Sequence, residues 1–242
     1  CEVEFSDAGF RFLYGASESE IIGNQVSGDN FIDELKLQAV ENVNGVCTGL
    51  FTGEKEVELS QENIAPGGTT GLSFNINNAP INKYPSFTSN VTLNFGDDSK
   101  ATIVNPAYLD AGQISFHAKY NADGVSLTGN SNGFWVSPAR LVMTATSEGE
   151  KINGASKTSP TVHEAGVNFD FEVTAYNSMY DESKDDNSGH ITANYVPNGI
   201  QLLVTRAEPT SIGSVDGEFI YGSGFIESST SPIFQGVILA TF

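Results

Sequence analysis

The chain has 242 residues, with 30 Asp plus Glu against 11 Lys plus Arg and a formal net charge of -19. Such a surface repels phosphate backbones and anionic headgroups, whose affinity for proteins rests on clustered Lys and Arg, so no nucleic acid or membrane-surface partner is expected. A 39% hydrophobic and 10% aromatic content with 25 Gly is too rich in core formers for a disordered tail, and no run approaches the roughly 20 apolar residues of a membrane helix.

At the start, Cys1 precedes Glu2, Val3, Glu4 and Phe5, which alternate like a strand. The second cysteine is Cys47, and an even pair in a chain rich in Asn, Thr and Ser suits an oxidising compartment. A Cys1–Cys47 disulfide is the expectation; the alternatives are two buried thiols, or a lipidated Cys1. Period-two alternation, which sends successive side chains to opposite faces of a sheet, then recurs along the chain. It predicts strands over 10–14, 35–40, 57–59, 72–76, 91–95, 101–104, 113–120, 125–128, 134–136 and 140–145, then 169–175, 191–195, 200–205, 218–221 and 237–242. In 113–120, Ile114, Phe116, Ala118 and Tyr120 are expected to face inward, with Gln113, Ser115, His117 and Lys119 facing water. Only 30–43 rivals this pattern as an amphipathic helix, and Leu35, Leu37 and Ala39 favour a strand in its second half.

Gly, Asn, Asp, Ser and Pro clusters separate these runs, as in antiparallel β-sandwiches. A loose repeat, Leu35-x-Leu37-x-Ala39 with a later run opened by Gly112, and Phe171-x-Val173-x-Ala175 with a later run opened by Gly236, predicts two modules. The polar stretch 129–133 sets the boundary, giving modules over 1–130 and 131–242. The run 237–242 has no successor, so the second module is expected to be unfinished, with that strand paired on one side only within the chain. Trp135, the single tryptophan, lies just past the boundary and is expected to wedge the modules together.

No HExxH or G-x-S-x-G pattern accompanies the three histidines, and no catalytic set is legible. The run Asp181-Glu182-Ser183-Lys184-Asp185-Asp186-Asn187 lies between two predicted strands. Oxygen ligands converging from one loop suit calcium, so Asp181, Glu182, Asp185 and Asp186 form a candidate Ca²⁺ site; the alternative is a solvated acidic loop.

Val91-Thr-Leu-Asn-Phe-Gly, Lys100-Ala-Thr-Ile-Val, the run from Tyr108 to Tyr120, Leu127-Thr-Gly and Phe134-Trp-Val-Ser-Pro-Ala-Arg140 together resemble the conserved C-terminal region of MshQ-type proteins. So do Cys1 with 35–40 and Cys47, and the stretch from Glu164 to Ala175. These proteins belong to the mannose-sensitive haemagglutinin type IV pilus system. The resemblance implies two tandem immunoglobulin-like sandwiches in an extracellular, pilus-associated bacterial surface protein. Its partners would be further domains of a longer chain and subunits of the appendage, and it implies no catalytic residues. A carbohydrate-binding module is the alternative function, and a secreted hydrolase the third.

Overall fold

Alternation becomes pairing register in the computed structural model, which describes residues 8–122, 124–152, 163–164, 167–195, 220–221 and 237–241. Up to residue 137 the chain builds β1 (Ala8–Tyr14), β2 (Gln25–Val26), β3 (Leu35–Val43), β4 (Val46–Gly49), β5 (Gly53–Ala65), β6 (Phe74–Ile76), β7 (Ala79–Pro80), β8 (Asn82–Lys83), β9 (Thr88–Phe95), β10 (Lys100–Ile103), β11 (Ala107–Tyr108), β12 (Gly112–Ala122), β13 (Val125–Asn130) and β14 (Phe134–Ser137). Beyond it come β15 (Arg140–Ser147), β16 (Glu150–Lys151), β17 (Asp170–Tyr176), β18 (Ile220–Tyr221) and β19 (Val237–Thr241).

In the first unit, one sheet runs β1-β3-β10 with β4 also on β3, and the facing sheet runs β2-β14-β12-β5-β8 with β13 on β12 and β9 on β5. A short β11-β6-β7 sheet adjoins them. The pairings are antiparallel except β14 with β2 and β5 with β8. The two inner faces share one core. Leu37, Ala39 and Ala101 of the first sheet meet Val57, Ile114, Phe116 and Tyr120 of the second, all buried as the alternation requires. Aromatic rings fill the centre in edge-on contacts, Phe74 against Phe116 at 4.6 Å and Phe31 against Phe134 at 5.6 Å. Such geometry sets the positive ring edge against the negative ring face. The stretch that could have been a helix is β3, held as a strand because β1 and β10 pair with it on its two sides.

Three expectations are corrected by the packing. The polar stretch 129–133 is no linker between modules: β13 and β14 both lie along β12, and the residues between them form an interruption in that edge, with the Ser131 N–H donating to the Phe116 carbonyl. Gly129 is required there because a Cβ would collide with the backbone of Phe10 on β1, where the two sheets approach. The chain leaves the first unit at Pro138, beyond β14. Second, the sequence repeat is not a repeat of topology. β3 and β12 lie in opposite sheets, whereas β17 and β19 are neighbours in the second unit's β16-β15-β17-β19-β18 sheet. Third, β19 has two neighbours within the chain. It pairs along β17, and Ala240 and Thr241 are met from the other side by Tyr221 and Ile220 of β18. The second neighbour is a strand that precedes β19 in the chain and meets it at its last two residues, so β19 is not paired on one side alone.

The predicted strand 191–195 is also different: Ile191 makes one bridge to Tyr176 and the chain then turns. The predicted strand 200–205 lies outside the described residues.

Candidate functional site

The two units meet in a seam of backbone and amide hydrogen bonds. Where the chain crosses at Pro138 and Ala139, the Ala139 N–H donates to the Tyr176 carbonyl at 2.9 Å, and the Ser27 N–H to the Ser137 carbonyl at 2.8 Å. The Ser178 N–H of the second unit then donates to the Ser27 carbonyl at 2.9 Å. Asn177, 1% exposed, sends its Nδ2 to the Leu109 carbonyl at 2.9 Å while its Oδ1 accepts from the Met179 N–H. Its amide thus spans both units with both ends occupied.

Asp110 is the centre of the seam and is fully buried. It sits where the chain turns from β11 into β12, so the short strand and the long one hold its backbone from both sides. Oδ1 accepts from the Ala111 N–H at 2.8 Å and from the Asn194 N–H of the second unit at 2.9 Å, and Oδ2 accepts from the Leu72 N–H at 2.8 Å. Burial pushes its carboxyl above the usual carboxylate range, an effect partly offset by these three donors and by Lys83. The same bonds explain why 191–195 is a turn: the Asn194 N–H is spent on Asp110 and not on a strand partner.

A second ring of groups converges on one carbonyl. The Thr70 oxygen accepts from Asn194 Nδ2 at 3.1 Å, Asn63 Nδ2 at 3.1 Å and Lys83 Nζ at 2.5 Å. Lys83 also donates to the Gly71 carbonyl at 2.7 Å, and burial lowers its ammonium below the usual lysine range, partly offset by Asp110. Tyr108 donates its hydroxyl to Asn63 Oδ1 at 3.1 Å, and burial raises that hydroxyl far above the ordinary tyrosine value. Gly71 has φ +83°, and a Cβ there would run into Asp110 Oδ2 and Asn194 Nδ2. Only glycine lets the carboxylate and the amide close on the loop.

The residues singled out in the sequence lie elsewhere. Asp181 Oδ1 accepts from the Ser183 N–H at 3.0 Å and from its hydroxyl at 2.7 Å, and Asp186 Oδ1 accepts from the Ser188 N–H at 2.9 Å. These bonds hold both carboxyls below the usual range. Glu182 and Asp185 are exposed. Asp181 and Asp186 therefore serve local turns, and among the described residues no group of three or more His, Cys, Asp or Glu converges on a metal-sized position. Trp135 lies opposite Gln113 on β14, 49% exposed, while Phe134 and Val136 are each 2% exposed. The alternation that buries its neighbours turns it to the outer face and away from the seam. Cys47 is exposed on β4, and Cys1 lies outside the described residues.

The seam residues Asp110, Asn177 and Asn194 were not legible as a set. Asp110 had one visible signal, a lone acid between Leu109 and Ala111 with turn residues around it.

An all-β chain of two tandem units tied by a buried polar seam falls in the class of multidomain sandwich proteins. Residues 1–133 match the first Ig-like domain of DUF6701, described as a domain of unknown function, and residues 137–234 match that family's second domain. The chain belongs to the DUF6701 family. No curated protein matches it.

Proposed function

We propose that this chain is a non-enzymatic structural and adhesive part of a bacterial cell-surface protein associated with a type IV pilus. Its partners are then further domains of the same longer chain and subunits of the appendage. The observation that carries this reading is the seam. Backbone and amide groups of both units are spent on each other, with Asp110 buried between them. Tandem domains usually move relative to one another unless their interface is extensive, so a seam with this many buried partners favours a fixed spacing between the units. A fixed spacing is what a stalk or appendage component needs to carry load. The likeness of 91–140 and of 164–175 to MshQ-type sequences supports the pilus association, and the charge of -19 suits a protein that stays soluble at a crowded surface.

Surface biotinylation of intact bacteria that encode the chain tests this reading. Labelling of the chain, with loss of pilus-dependent attachment on its deletion, is the expected result. A chain protected from the reagent until the cells are lysed would overturn it.

A further inference from the structure

We infer that the outer face of the β14-β12-β5 sheet binds a neutral saccharide chain, laid along β12 with sugar rings against Trp135 and Tyr84. This inference does not depend on the pilus reading. It rests on a contrast between the two outer faces of the first unit.

The outer face of the β1-β3-β10 sheet is a grid of ion pairs: Lys36 with Glu34 at 3.0 Å, Lys100 with Glu18 at 2.6 Å and with Asp98 at 3.2 Å. Water and counter-charges already satisfy such a face. The opposite outer face carries exposed rings. Trp135 is 49% exposed beside Gln113, and Tyr84, 40% exposed, stacks on His117 with centroids 4.2 Å apart and planes 17° from parallel. Gln113 and His117 are four residues apart on one strand, which at the usual rise places the two aromatic positions about 13 Å apart along β12, the span of a short oligosaccharide.

Between the rings lie groups suited to hydroxyls. Ser115, between Gln113 and His117, is itself buried, so the accessible group beside it is its partner Glu62 of β5, whose Oε2 is held by His117 Nε2 at 2.6 Å. The carboxylate is oriented before any ligand arrives, and the Gln113 amide offers both a donor and an acceptor. A pyranose ring has this dual character, with a C–H face for an aromatic ring and hydroxyls around its rim. Charge selects against other ligands. The charged groups nearest the rings have partners, Glu62 the His117 ring and Lys119 the Glu58 carboxylate at 3.2 Å. With the chain at -19, a polyanion gains nothing by docking here.

The single tryptophan makes the test direct, because all indole emission comes from position 135. The full 242-residue chain is titrated with cellohexaose, maltohexaose and xylohexaose, with dextran sulfate as the charged control. A saturable change in emission with at least one neutral sugar is expected. By calorimetry, W135A and Y84A should bind that sugar about tenfold more weakly at an unchanged urea midpoint, the usual worth of one aromatic contact. Four results overturn the inference: no saturable response to any neutral sugar, binding to dextran sulfate alone, wild-type affinity for the sugar in both variants, or self-association that W135A abolishes in place of sugar binding.

Discussion

Two acidic regions of this chain differ in composition and behave as opposites. The loop from Asp181 to Asp186 is dense in carboxylates, yet those with described hydrogen bonds serve the nearest turn. Asp110 is a lone acid between apolar residues, and it joins Ala111, Leu72 and Asn194 across two units. An exposed carboxylate keeps its water and contributes little. A buried one has lost that water and must be matched donor for donor, so its removal strands every partner at once. Density of charge in a sequence is therefore a poor guide to where charge matters.

Removing the central acid should widen this contrast most. Asp110→Ala strands the three N–H groups of Ala111, Leu72 and Asn194, and a loss of about 3–5 kcal/mol is expected from urea unfolding of the full chain. Asp110→Asn keeps an oxygen for two of the donors but turns an NH₂ toward Leu72, so a smaller loss of about 1–3 kcal/mol should follow in the same assay. Asn194→Ala retains the backbone N–H bond to Asp110 and loses the amide's bonds to Thr70 and to the Tyr108 hydroxyl, for about 1–2 kcal/mol. At the small end, replacing Asp181, Asp185 and Asp186 together by Asn should leave the urea midpoint nearly unchanged. For the same loop, Ca²⁺ should raise the melting temperature no more than monovalent salt at equal ionic strength.

The pH dependence should differ in sign between the two regions. Burial raises the folded-state pKa of Asp110 above its unfolded value, so its contribution is complete below the unfolded pKa and is lost as pH rises through the folded one. The stability of the wild type relative to Asp110→Asn should accordingly fall as pH rises from about 4, the unfolded carboxyl value. Asp181 and Asp186 have lowered folded-state values, owing first to bonds from Ser183 and Ser188 respectively. Their contribution is present above the unfolded pKa and is lost as pH falls through the folded one, so the wild type should gain on the Asp181→Asn, Asp186→Asn double variant as pH rises through the same acid range. Denaturant unfolding at a series of pH values separates the two slopes.

Much of the first unit was open to reading because alternation is a local property. Ile114, Phe116, Ala118 and Tyr120 point inward, and Leu35, Leu37 and Ala39 mark a strand, for reasons contained within a few consecutive residues. The same rule, followed one residue further, would have turned Trp135 outward between Phe134 and Val136. The polar stretch 129–133 misled because glycine and asparagine serve an interrupted strand edge as readily as a linker, and only the approach of β1 at Phe10 tells them apart.

From residue order alone came the all-β class, the tandem arrangement and the inward face of most strands, since each follows from periodicity and turn chemistry along a short stretch of chain. Which strands share a sheet, that β18 meets the far side of β19 at Ala240 and Thr241, and that Asp110 reaches Asn194 were decided only in the folded structure. Those facts join residues far apart in sequence, and a hydrogen bond depends on distance and direction in space, about which the order of residues says nothing.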